Sequence, residues 1–181
     1  MLVAAILAAA AAVLIWAALG FLRPYFRERG ARVVTCPENQ QYAAVSADAG
    51  RAALSGELRL ESCSRWPERA GCGQQCLAQL QAAPDGCLVR NILADWYRGK
   101  SCAWCGTAIQ EIDWAAHRPA LLGPGDNRST AWQDVPAEQV REMLRTHLPV
   151  CWRCHISNTF ARQHPGWVTD RSPRHRGQTA G

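Results

Sequence analysis

Lysine is almost missing from this chain: of its 20 Lys and Arg residues only Lys100 is a lysine, and the formal net charge is +5. The arginines are scattered apart from a tail at residues 171–176. That tail reads as a solvated or membrane-skimming segment, and nucleic-acid binding is not indicated. The short motifs of common chemistries are missing too. There is no phosphate-cradling glycine loop, no nucleophile elbow and no His-Glu-x-x-His helix. Asp and Glu are dispersed, with no pair marked by spacing as acid and base. These absences point away from an enzyme. No long repeat or low-complexity tract occurs outside the N-terminal stretch.

Charge is also absent from Leu2 to Leu22. At about 1.5 Å rise per residue this stretch makes a helix of roughly 31 Å, enough to cross a bilayer core. A cleaved signal peptide would carry a basic segment first and a small-x-small site last. Here Met1 is followed directly by apolar residues, and the stretch ends in Leu22-Arg23-Pro24-Tyr25-Phe26-Arg27. Arg23, Arg27, Arg29 and Arg32 all lie on the C-terminal flank, so the positive-inside rule puts the N-terminus outside. The expectation is a single-pass protein of the inner (cytoplasmic) membrane, with residues 31–181 in the cytoplasm.

Nine cysteines stand out against this sparse background. In a cytoplasm they suggest metal or redox chemistry rather than disulfides. Cys102-Ala-Trp-Cys105 and Cys151-Trp-Arg-Cys154 each have the spacing that lets one tight turn offer two thiolates to the same ion. Gly106 supplies the backbone reversal such a turn needs. The segment resembles the zinc knuckles of ribbon and treble-clef domains. A long loop between the pairs is no obstacle, because closure entropy grows slowly with length. Zinc held by Cys102, Cys105, Cys151 and Cys154 is therefore the first expectation.

The second pair runs into His155 and so matches the c-type haem signature, with Cys151 and Cys154 as thioether sites and His155 as iron ligand. His164 or Met143 would then take the sixth position. That alternative leaves Cys102 and Cys105 without a role, and it needs an outer, oxidising compartment. A possible second metal site consists of Cys36, Cys63, Cys72 and Cys76, with Cys72 and Cys76 read as one helical turn apart. It could take zinc or an iron–sulfur cluster. Cys87 is left as a small buried hydrophobe. The eight tryptophans, Trp104 and Trp152 among them, are read as covers for the core and the metal sites. His117 and His147 are read as structural or solvated.

The coarse layout is α+β: an N-terminal transmembrane helix followed by a small Cys-rich, metal-stabilised domain. Strands are expected around residues 32–35, 42–47, 57–61 and 109–114. Helices are expected around residues 68–82, 86–97, 136–147 and 155–163, with a Pro/Gly/Asn-rich loop at 121–130. The chain then divides into an anchor with its basic flank (1–30), a strand-then-helix Cys segment (31–100), a knuckle-like segment (101–168) and a basic flexible tail (169–181). Cys36-Pro37-Glu38, Cys63-Ser64-Arg65-Trp66-Pro67-Glu68-Arg69 and Cys151–His155 together resemble a family of bacterial membrane-anchored, Cys-rich proteins. That resemblance spans most of the soluble part and implies no activity. A closed four-thiolate site has no open coordination position, so the expected role is an accessory or interaction protein with a partner at the membrane. The competing class is an electron carrier.

Overall fold

The longest element is α1, Leu2–Glu28, rich in alanine and leucine, which favour helix, although Pro24 lies inside it. The computed structural model describes residues 2–69 and 71–167; the expected tail at 169–181, with its arginines, lies outside them. Within α1, the 20 residues Ala9–Glu28 are long and apolar enough to cross a membrane by length and composition, and none is buried inside the protein. An N-terminal signal sequence has the same length and composition. The helix is therefore no core element, and its orientation is open.

The chain forms two compact units, Met1–Trp96 with Pro136–Glu142, and Tyr97–Val135 with Met143–Gly181. Mixed helix and antiparallel sheet in each gives an α+β chain.

In the first unit, β1 (Arg32–Thr35), β2 (Tyr42–Ala47) and β3 (Leu60–Cys63) form an antiparallel sheet in that order. Alternate residues of β2, Ala43, Val45 and Ala47, point inward, as period-two patterning requires. Ala43 and Val45 pack with Val34, Leu60, Leu80, Cys76 and Cys87. The outer edge of β1 is covered by Gln79, which accepts from the Thr35 N–H at 3.0 Å and donates to its carbonyl at 2.6 Å, and by the Cys87 carbonyl, which accepts from the Val33 N–H at 2.8 Å. Between β2 and β3 runs α2 (Ala49–Ser55), whose N-cap Asp48 accepts from the Arg51 N–H; α1 packs against it.

Arg32 decides how α1 joins this sheet. Its side chain is fully buried, and Nη2 donates to the Glu28 carboxylate at 2.9 Å and to the Arg27 carbonyl at 2.8 Å. Nη1 donates to the Glu28 carbonyl. The guanidinium thus caps the open carbonyls at the C-terminus of α1. Arg32 therefore cannot be counted as a flanking charge facing a membrane, which leaves Arg23, Arg27 and Arg29.

The expected helix at 68–82 shortens to α3, Leu77–Ala82. Gly71 and Gln74 take positive φ, and Pro67 precedes them, so no continuous helix can form there. The next helix, α4, spans Val89–Tyr97, with Leu88, Leu93 and Tyr97 buried.

The second unit holds a small sheet ordered β5-β4-β6, from β4 (Ala120–Leu122), β5 (Ser129–Ala131) and β6 (Leu148–Val150). No strand forms at 109–114; two strands fall instead in or beside the stretch read as a loop. Three residues are too few for a visible alternation. The sheet is pinned by Tyr97, whose hydroxyl donates to the Ala120 carbonyl at 2.6 Å and accepts from Trp132 Nε1 at 3.0 Å. Burial pushes this phenol well above its ordinary range. Two further helices lie among the described residues, α5 (Val140–Thr146), entered through a single tight turn, and α6 (Trp152–Gln163).

Candidate metal centre

The first knuckle is a closed local turn. Cys102 N–H donates to the Thr107 carbonyl at 2.9 Å, Gly106 N–H donates to the Cys102 carbonyl at 2.8 Å, and Ser101 pairs with Ala108. Gly106 sits at φ 72°, in the left-handed region that favours glycine. Ala103 N–H reaches the Pro149 carbonyl at 2.8 Å, so the knuckle is stitched to β6.

The other two thiols come from a strand-to-helix junction. Cys151 follows β6 in extended conformation and is the N-cap of α6, with Cys154 in the first turn on the same face. Open N–H groups and the helix dipole favour negative charge at this end.

All four sulfurs lie within 4.8 Å of one another. Cys105 and Cys151 Sγ are 3.8 Å apart, and the Cys151 N–H donates to Cys102 Sγ at 3.3 Å. Four sulfurs at about 2.3 Å from a central ion stand about 3.8 Å apart in a tetrahedron. The donor set therefore fits a metal ion. Trp104 packs against the small cluster of Cys102, Ala120, Leu122 and Val150 behind the site, as expected of a covering side chain.

The Thr107 hydroxyl, 3.4 Å from Cys105 Sγ, and the Thr107 backbone hold the Cys105 thiol down at about 6. Burial pushes Cys151 and Cys154 up, reinforced for Cys154 by the neighbouring sulfurs. One thiolate is easily formed here and further ones repel it. A bound cation removes that repulsion.

His155 is outside this group. Its Nδ1 lies 2.8 Å from Ser129 Oγ, and burial lowers its pKa. His164, named above as a sixth haem ligand, ends the same helix. Nine residues along one helix are two and a half turns, which puts His164 on the face opposite His155, so the two cannot share an iron.

Cys36, Cys63, Cys72 and Cys76 lie in the first unit, on separate segments. Cys36 follows β1, Cys63 ends β3, and the two outer strands are separated by β2. Cys76 is the N-cap of α3, and Cys72 precedes it in irregular backbone, so the expected helical turn between them does not exist. Among the described residues, only Cys102, Cys105, Cys151 and Cys154 are gathered closely enough to share one ion. The other four nonetheless line a single cavity of about 70 Å³. Arg65 Nη1 donates to Cys36 Sγ at 2.8 Å. Burial pushes the Cys36 thiol up, but N–H groups of the following turn and Arg65 outweigh it and hold it below its ordinary value. Cys87 is buried in the adjoining core, just ahead of α4, and burial raises its pKa.

The residue types alone did not mark Thr107, Ser129, Arg65 or Arg32 for these roles. Thr107, two residues after Cys105, was the one within reach of a local reading. No family model, curated protein or solved structure matches this chain. The family resemblance noted above therefore stands on its short Cys-containing segments alone.

Proposed function

We propose that this chain is a membrane-anchored zinc protein whose Cys102–Cys105–Cys151–Cys154 centre is structural, and whose soluble part serves as an accessory or interaction module. The observation that carries the reading is the convergence of four thiols from two distant segments, with a 3.8 Å sulfur separation matching a tetrahedral edge. Thiolates select soft or borderline metals, and four of them saturate zinc, leaving no position for a substrate or water. The ion braces a unit whose sheet has strands of three residues and whose core is small.

Anchoring is supported by α1, and the N-out, cytoplasmic-domain orientation by Arg23, Arg27 and Arg29. A partner is supported by exposed apolar residues on α6, Ile156 and Phe160, one turn apart. The haem c alternative keeps the letter match at Cys151, Cys154 and His155. It does not use Cys102 and Cys105, which the sulfur geometry groups with the second pair.

Elemental analysis of the full-length protein from its own membranes tests the zinc reading. One zinc per chain that disappears in Cys105→Ser is the expected result. Covalently held haem, or no zinc, refutes it. A C-terminal reporter active only in the cytoplasm tests the orientation, and periplasmic activity reverses it.

A further inference from the structure

We infer that the cavity bounded by Cys36, Cys63, Cys72 and Cys76 is a second metal centre, of a different kind from the first: it holds an iron–sulfur cluster. Cysteines from four points of the chain line one small cavity, with Cys76 buried and Cys36, Cys63 and Cys72 half-buried at its wall. Such convergence of cysteines on a common void is not needed for packing, since each could face the core separately. Yet these sulfurs are not drawn together as the other four are. Thiolates on a cluster spread farther apart than thiolates on one ion, because they are shared among two or more irons and the inorganic core lies between them.

The walls fit that occupant. Val34, Leu60 and Trp66 make the cavity largely apolar, which shields a cluster from water. Arg65 and Arg69 also line it, and Glu38 is paired with both, at 3.6 and 2.6 Å. The balance is one surplus positive charge beside a site that an anionic cluster would occupy. Arg65 donates directly to Cys36 Sγ at 2.8 Å, a contact of the type that tunes cluster potential. A disulfide between Cys36 and Cys63 is disfavoured. Cys63 pairs with Val45, level with the start of β1, while Cys36 lies beyond the end of β1. The two are therefore more than two strand spacings, about 9.5 Å, apart, beyond the roughly 7 Å a disulfide tolerates.

The test is anaerobic purification of the full chain, with iron, zinc and acid-labile sulfide measured together with the visible spectrum. Iron and sulfide in equal amounts, with broad visible absorption, are expected. Cys63→Ser and Cys72→Ser should each lose at least most of the iron and sulfide while zinc content stays unchanged. Cys151→Ser should do the reverse. Should the serine variants fail to fold, Arg65→Gln keeps all four thiols: the cluster should remain and its reduction potential fall, because a positive charge and a hydrogen bond to sulfur are gone. Absence of sulfide in the anaerobic wild-type protein overturns the inference, and so does a second zinc in place of iron. Either result leaves the first centre standing, since that centre is read from zinc lost in Cys105→Ser.

Discussion

Replacing Arg32 by methionine should loosen the junction between α1 and the first sheet by a measurable amount. The side chain is fully buried, and its guanidinium makes three bonds to the end of α1. Methionine keeps most of the length and loses all three. Glu28 is left only 16% exposed and without this partner. Removing one member of a buried ion pair costs about 3–5 kcal/mol, mostly because the other charge stays buried. Each tenfold change in an opening equilibrium is about 1.4 kcal/mol, so amides of β1 should exchange with deuterium roughly 10²- to 10³-fold faster. Mass spectrometry of peptides spanning residues 30–46, in detergent, reads this directly. The double variant Arg32→Met/Glu28→Gln should recover most of the loss. Desolvation lowers the Arg32 pKa more than Glu28 raises it, so the pair is held together by mutual need rather than by net gain. Exchange accelerated less than tenfold in the single variant, or no recovery in the double, would refute this account.

Three further outcomes follow from the metal centre. Cys151→Ser should release the metal and lower the melting temperature, because a neutral hydroxyl replaces a thiolate ligand; unchanged metal content rules the site out. Gly106→Ala meets open space but must hold φ near 72°, so it should cost about 1–2 kcal/mol and weaken metal affinity roughly tenfold without abolishing it. An unaffected affinity, by competition with a chelator, contradicts the knuckle geometry. His155→Ala should keep full metal content and lose about 1 kcal/mol with the Ser129 contact, read in a denaturant titration; loss of metal would place His155 among the ligands.

Two features of this protein were legible in its residues. The apolar run in α1 and the thiol spacing at 102–105 and 151–154 are local properties, set by helix rise and by the reach of a single turn. The first two strands were visible for the same reason, since β2 is long enough to alternate, whereas the third falls at 60–63 and overlaps the expected 57–61 only at its end. Non-local packing decided the rest. Only the docking of the first knuckle on β6, through the Ala103 N–H and the Pro149 carbonyl, brings Cys151 beside Cys105, across 46 positions of chain. Only the order β1-β2-β3 sets Cys36, just past β1, and Cys63, at the end of β3, on opposite sides of β2. Arg32 looked like one basic flank residue among four until the sheet buried it against Glu28. The strands of three residues hid in a glycine-rich stretch because they are held by their neighbours, Tyr97 above all, more than by their own pattern. Spacing fixes what one turn can present; which turns meet depends on contacts made far along the chain, where no short-range rule applies.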